Sequence, residues 1–161
     1  MEAVPLRANA TRIALPLLLA CAGCGRQQLE GSLTEIMDLH YEQAAVASTP
    51  AQLVARFTRP QGSGEDIVLQ VTTSLSGVAP GTSRFDLTEV TPDNTQRGVI
   101  SRNVLNDPRT TFPAIARGSL NLSGTLSTGK RVSGSFSVTF VEGIQFANGR
   151  TVFASFEATV Q

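Results

Sequence analysis

The chain has no tryptophan, a single tyrosine (Tyr41), a single histidine (His40) and two cysteines, Cys21 and Cys24, both near its start. Each scarcity removes a class of function. Without tryptophan and with one tyrosine there is no aromatic platform for stacking sugars. One histidine and no cysteine beyond residue 24 leave nothing from which to assemble a His/Cys zinc cluster. They also leave no disulfide framework, so the folded part must be stable without cross-links. Thirteen basic residues face thirteen acidic ones. A near-neutral chain offers no electrostatic case for nucleic acid or for an anionic membrane surface. The one long apolar run, Ile13 to Ala20, is shorter than the roughly 20 residues a membrane-spanning helix needs. No cofactor is implied by any motif.

What is present begins with that run. Ile13-Ala-Leu-Pro-Leu-Leu-Leu-Ala20 follows Arg7 and Arg12 and ends at Ala20-Cys21. A positive segment, a short apolar core and a small residue before the cleavage point make a secretory signal peptide. The Leu19-Ala20-Cys21 ending resembles the lipobox of bacterial lipoproteins. That resemblance implies cleavage before Cys21, acylation of its thiol and attachment to the membrane through a lipid anchor; Cys24, preceded by Ala22-Gly23, is the alternative site. In such lipoproteins an aspartate after the acylated cysteine tends to retain the protein at the inner membrane. Ala22 stands there, which implies the outer membrane. Residues 1–20 are thus expected to be signal peptide, residues 21–28 a short tether, and residues 29–161 one domain. Cys21-Ala-Gly-Cys24 also spells C-x-x-C, but a redox motif of that kind belongs between a strand and a helix. Here a signal-like segment precedes it and Gly25-Arg26-Gln27-Gln28 follows.

Beyond Leu29 the pattern is alternation with period two, the mark of half-buried strands. Val132, Gly134, Phe136, Val138 and Phe140 point one way, and Ser133, Ser135, Ser137 and Thr139 the other. Further inner rows are expected from Leu120, Leu122 and Leu126; from Val152, Ala154, Phe156, Ala158 and Val160; and from Ile67, Leu69, Val71, Thr73 and Leu75. Shorter ones are Phe85 and Leu87; Met37, Leu39 and Tyr41; and Leu53, Ala55 and Phe57. Turns rich in Gly, Asn and Pro separate them, as at Gln61-Gly-Ser-Gly64 and Ser127-Thr-Gly129. The expectation is an all-β domain, an antiparallel β-sandwich or small β-barrel of about 8–10 strands. Val132-Ser-Gly-Ser-Phe-Ser-Val-Thr-Phe140, with the closing Gly149-Arg-Thr-Val-Phe-Ala-Ser-Phe156, resembles the C-terminal strands of β-rich bacterial surface lipoproteins. That resemblance implies fold and location and carries over no catalytic residue.

Candidate chemistry is sparse. Gly124-Thr-Leu-Ser-Thr-Gly129-Lys130 copies most of a phosphate-binding loop, but Arg131 replaces the Ser or Thr that ligates magnesium, and the run joins two strands instead of opening a helix. His40 lies between Asp38 and Glu42 on one strand face, where a surface role outweighs catalysis. Acid pairs occur at Glu65/Asp66 and Asp86/Glu89, with no G-x-S-x-G elbow beside them. The longest break in alternation runs from Asn103 to Arg117. Pro108 and Pro113 keep it out of a central strand, yet Val104, Leu105, Phe112 and Ile115 travel with it. These four either close one end of the core or form a partner contact. The chain as a whole reads as a non-enzymatic binding or scaffold subunit of a cell-envelope assembly. The alternative is a calycin-like barrel that binds a small molecule inside.

Overall fold

The computed structural model describes residues 27–105, 107–143 and 146–161. The signal peptide, Cys21 and Cys24 lie outside the described residues. The described chain is all-β. Its strands are β1 (Gln27–Gln28), β2 (His40–Tyr41), β3 (Gln43–Ser48), β4 (Gln52–Gln61), β5 (Gly64–Ser74), β6 (Arg84–Asp86), β7 (Gly98–Val104), β8 (Asp107–Thr111), β9 (Ile115–Ser123), β10 (Arg131–Phe140) and β11 (Thr151–Val160). One 3-10 turn, Ser32–Glu35, interrupts them. Strands β1 and β2 pair with each other, and the other nine form one sheet in the order β6-β9-β10-β11-β3-β4-β5-β7-β8. That sheet curls into a nearly closed barrel. Of the two architectures open to the sequence, the continuous order selects the barrel.

Two antiparallel meanders make up the wall. One is β3-β4-β5-β7 and the other β9-β10-β11. They join where Thr159 and Val160 pair in parallel with Ala45 and Val46. The barrel interior holds a ring cluster. Phe57 meets Tyr41 edge-on at 5.1 Å, Phe156 edge-on at 5.1 Å and Phe136 at 5.4 Å between centroids. Gly134 sits opposite Phe156 across the β10–β11 ladder. A Cβ there would lie 2.4 Å from the Phe156 ring, so glycine is what lets that ring lie over the strand.

The seam between β7 and β9 is closed without a shared ladder. Leu87 bridges it through its backbone, donating its N–H to Gly118 O at 3.0 Å and accepting from Gly98 N–H at 2.9 Å. The side-chain amide of Gln96 does the same for Ile115: it donates to the carbonyl and accepts from the N–H, each at 2.8 Å. Gly98 must be glycine for this contact, since a Cβ would lie 2.6 Å from Leu87 Cβ and 2.9 Å from its carbonyl oxygen.

The structure corrects several inner rows. Ile67 is half-buried, while Asp66, Val68 and Leu69 are buried. The cause is a bulge: Phe57 pairs with Leu69 but Thr58 with Ile67, leaving Val68 as an extra residue that reverses the facing of the strand. Leu126 is exposed because β9 ends at Ser123. Gln27 and Gln28, expected in the tether, form β1. Part of the segment 103–117 is also strand: β8, carrying Pro108, lies at the edge of the sheet, where a missing N–H is tolerated.

Two substitutions test this packing. Phe136→Ala, at a side chain only 2 % exposed, should lower unfolding free energy by about 3–5 kcal/mol. Gly98→Ala should cost about 1–3 kcal/mol by forcing Leu87 out of the seam. Both are read from urea denaturation midpoints, and an unchanged midpoint for either variant contradicts the assignment.

Candidate functional site

The densest grouping of charged side chains lies at one end of the barrel, and the bulge at Val68 helps build it. By shifting the facing of β5, the bulge turns Asp66 inward, where it is 1 % exposed. Both of its oxygens are engaged. Oδ2 accepts from Arg59 Nε at 3.2 Å and Oδ1 from the Leu105 N–H at 2.7 Å. Arg59 also pairs with Asp38 through Nη1. Asp38 Oδ1 accepts from the His40 N–H at 3.1 Å and lies 2.7 Å from His40 Nδ1. Arg102, buried on β7, donates through Nη1 to the carbonyls of Asp38 at 3.0 Å and Val68 at 3.4 Å. Its Nε is 3.5 Å from Asp107 Oδ2, within ion-pair range but without a hydrogen bond. The segment before β2 and strands β4, β5 and β7 are thus tied together by one relay of charges.

The relay borders an open depression of about 260 Å³ lined by Asp38, His40, Tyr41, Glu42, Arg59, Pro60 and Gln61. Sequence reasoning had placed His40 with Asp38 and Glu42 on one face; the structure joins His40 to Asp38. Arg59 and Asp66 were not singled out together, because their meeting depends on the β4–β5 ladder and its bulge. Partial burial opposes ionisation of Asp38. Hydrogen bonds from the His40 backbone and ring and from Arg59, with the Arg59 charge, outweigh that and hold the carboxyl far below the usual carboxylate range. Tyr41 shifts the other way, burial raising its phenol above the ordinary value. An Asp–His pair can orient a general base, but none of the lining residues is a serine, threonine or cysteine. The carboxylates and Arg59 are also spent on one another. The arrangement is chemically a clamp.

The remaining sequence candidates take structural positions. Asp86 accepts from the Thr88 N–H at 2.8 Å and Oγ1 at 2.7 Å, and these bonds lower its pKa. It borders a shallow depression with Arg84 and Arg117. Glu89 pairs with the buried Arg97 at 2.9 Å, and Arg97 also donates to the carbonyls of Ser74 at 2.8 Å and Ser76 at 3.1 Å. Residues 124–130 form the β9–β10 hairpin connection, with Gly129 at φ 79° and a strand, not a helix, following. Among the described residues, no group of three or more His, Cys, Asp or Glu side chains is placed to hold a metal ion.

The four apolar residues of segment 103–117 separate. Phe112 and Ile115 are buried, Phe112 stacking on Phe140 at 5.2 Å and 14°. They close the core, so the idea of a partner contact loses its basis at these two positions. Val104 is half-buried, and Leu105, at 62 % exposed, stays on the surface. Comparison with protein-family models, with curated proteins and with solved structures gave no match.

The low Asp38 pKa has a sign that can be checked. A carboxyl whose folded value lies below its ordinary 3.8 stabilises the fold above that value and loses the contribution as pH falls toward the folded one. Wild-type urea midpoints should therefore fall on acidification from about pH 4 to pH 2. Asp38→Asn should be less stable at neutral pH and decline less steeply over that window. Parallel curves for the two proteins contradict the clamp.

Proposed function

We propose that this protein is an outer-membrane lipoprotein that acts by holding a partner in the cell envelope, with no reaction of its own. The observation that carries this reading is a lipobox-like Leu19-Ala20-Cys21 placed a few residues ahead of a filled barrel. From Cys21 to the start of β1 at Gln27 the chain reaches at most about 20 Å. A domain on so short a leash works beside the membrane, on whatever assembles there.

The barrel interior supports holding over carrying. Its middle is filled by Phe57 against Tyr41, Phe136 and Phe156, the space a calycin-like barrel would give to a small molecule. The charged depression is knit by its own salt bridges. What remains for recognition is the outer surface. There Ser133, Ser137 and Ser155 alternate with buried neighbours, and Leu105 and Phe153 stand exposed.

Mass spectrometry of the N-terminal peptide from membrane-extracted protein tests the anchor. Cys21 should be the first residue and acylated. An unmodified Cys21 thiol overturns the lipoprotein reading, and acylation at Cys24 moves the site. Detergent-solubilised membranes should then yield a co-purifying envelope protein, and recovery of the lipoprotein alone contradicts a holding role.

A further inference from the structure

Strand β11 has one side that the wall leaves unused for most of its length. On that side it meets β3 only at Thr159 and Val160, and Glu30 only at Phe153, through two backbone hydrogen bonds of 2.9 Å. Between these points the backbone groups of Ser155 and Glu157 turn to the same side. Alternation requires it: Val160 bonds to Lys130 on the β10 side, Phe156 and Ala158 follow it, and the residues between them face the other way, as Phe153 does. Among the described residues no strand pairs with Ser155 or Glu157 there. Across the opening stands β1. Its Leu29 donates to Leu39 O, so the neighbouring Gln28 turns its N–H and C=O away from β2 and toward β11. An open groove of about 620 Å³ lies between, with Gln28 on one rim and Ser155 and Glu157 on the other. Tyr41 lines it as well. That side chain is only 2 % exposed, and its O–H donates to no group among the described residues.

We propose that this groove takes up a short extended segment of another protein, which pairs with the backbone of Ser155 and Glu157 and carries a basic residue opposite Glu157. The hydrogen-bonding pattern selects a peptide. Two N–H and two C=O groups, alternating along one strand edge, match the edge of a second strand. Gln28 offers a further N–H and C=O from the opposite rim, and the Tyr41 hydroxyl a donor from within. The contacts at Phe153 and Thr159 bound the opening to about 20 Å of strand. Both ends of the edge are thus covered, so the groove admits a segment of a few residues and not the long edge of another sheet. Charge sets the register. Glu157 is exposed and is the one charged side chain lining the groove, and a lysine or arginine directly across from it makes a favourable cross-strand pair. The proposal rests on the holding role put forward above and names what is held and where; it does not depend on the lipid anchor.

A phage-displayed library of peptides of about seven residues, selected against the full chain in mild detergent, tests it. The selected peptides should share β-favouring residues at alternate positions and a lysine or arginine at one position. In the free chain the Ser155 and Glu157 amides should exchange readily, and the best peptide, made synthetically, should protect both. The Phe136 amide, in the middle of β10, should not change and so reports folding separately. Glu157→Arg should weaken that peptide roughly threefold to tenfold, and replacing the peptide's basic residue with glutamate should restore binding to the variant. Methylating the peptide nitrogens that face β11 should abolish binding. Ser155 and Glu157 amides already protected in the free chain overturn the proposal, and protection that rises with protein concentration assigns the edge to a second copy instead. A selection that yields no peptide overturns it too, as does a peptide that ignores Glu157→Arg or leaves both amides unprotected. Co-purification separates this failure from that of the holding role. An envelope protein recovered equally with wild-type and Glu157→Arg chains keeps the holding role and removes this groove as its site. Peptide binding without any co-purifying protein does the reverse.

Discussion

A sheet that curls on itself has to bring its two ends together, and every backbone N–H and C=O at the meeting line needs a partner. Here β7 and β9 approach without a common ladder. Leu87 supplies one bridge with its backbone, and the Gln96 amide supplies the other by imitating a peptide group. Much else follows from this seam. Gly98 has to lack a side chain for Leu87 to fit. Ile115, held by Gln96, sets the start of β9, and the Phe112 N–H donated to Ile100 O at 3.1 Å carries the chain across from β8. The connection from β5 to β7 is long because it must lay Leu87 into the gap. Arg97, buried within it and bonded to Glu89, Ser74 and Ser76, keeps it there.

The bulge at Val68 is the second constraint. It lets one strand serve two purposes. Beyond the bulge, Leu69, Val71 and Thr73 face the core. Before it, Asp66 is turned in to meet Arg59, and the relay through Asp38, His40 and Arg102 grows from that contact. A buried carboxylate is costly unless its charge is met, and Asp66 is met by a guanidinium and a peptide N–H. The same bonds that make the cluster affordable leave it little freedom to act on anything else.

Strand existence was legible in the residues because alternation is a local signal. The rows through Phe136, Val138 and Phe140, and through Val152, Phe156 and Val160, are buried as their spacing required. What was illegible depends on partners far along the chain. Val68 looks like any β-branched strand residue, and only its two neighbours' registers make it a bulge. Gln96 reads as an ordinary polar residue between Thr95 and Arg97, with nothing local to announce that its amide would close a barrel. Phe112 and Ile115 sat in a proline-broken segment that could face either way. The ring of Phe140 and the Gln96 contact turn them inward. The clamp was half visible: Asp38 and His40 are two apart, but Arg59 and Asp66 reach them through pairing.

The two halves of the chain meet through a parallel pair only two residues long, at β11 and β3. Parallel strands cannot be joined by a tight turn, and here their connection is the whole barrel, since β3 opens the wall and β11 ends it. Such a junction leaves the β3-facing edge of β11 without a strand partner, among the described residues, between Phe153 and Thr159, while its other edge stays paired with β10. The strip from β1 through Ser32–Glu35 to β2 covers part of that opening. It is held by the Glu30–Phe153 exchange and by Arg150 donating to Ser32 O at 2.6 Å and Glu35 at 2.7 Å. The N-terminal strip, from Gln27 onward, is therefore part of the wall: the Glu30–Phe153 exchange and the Arg150 contacts hold it over the opening.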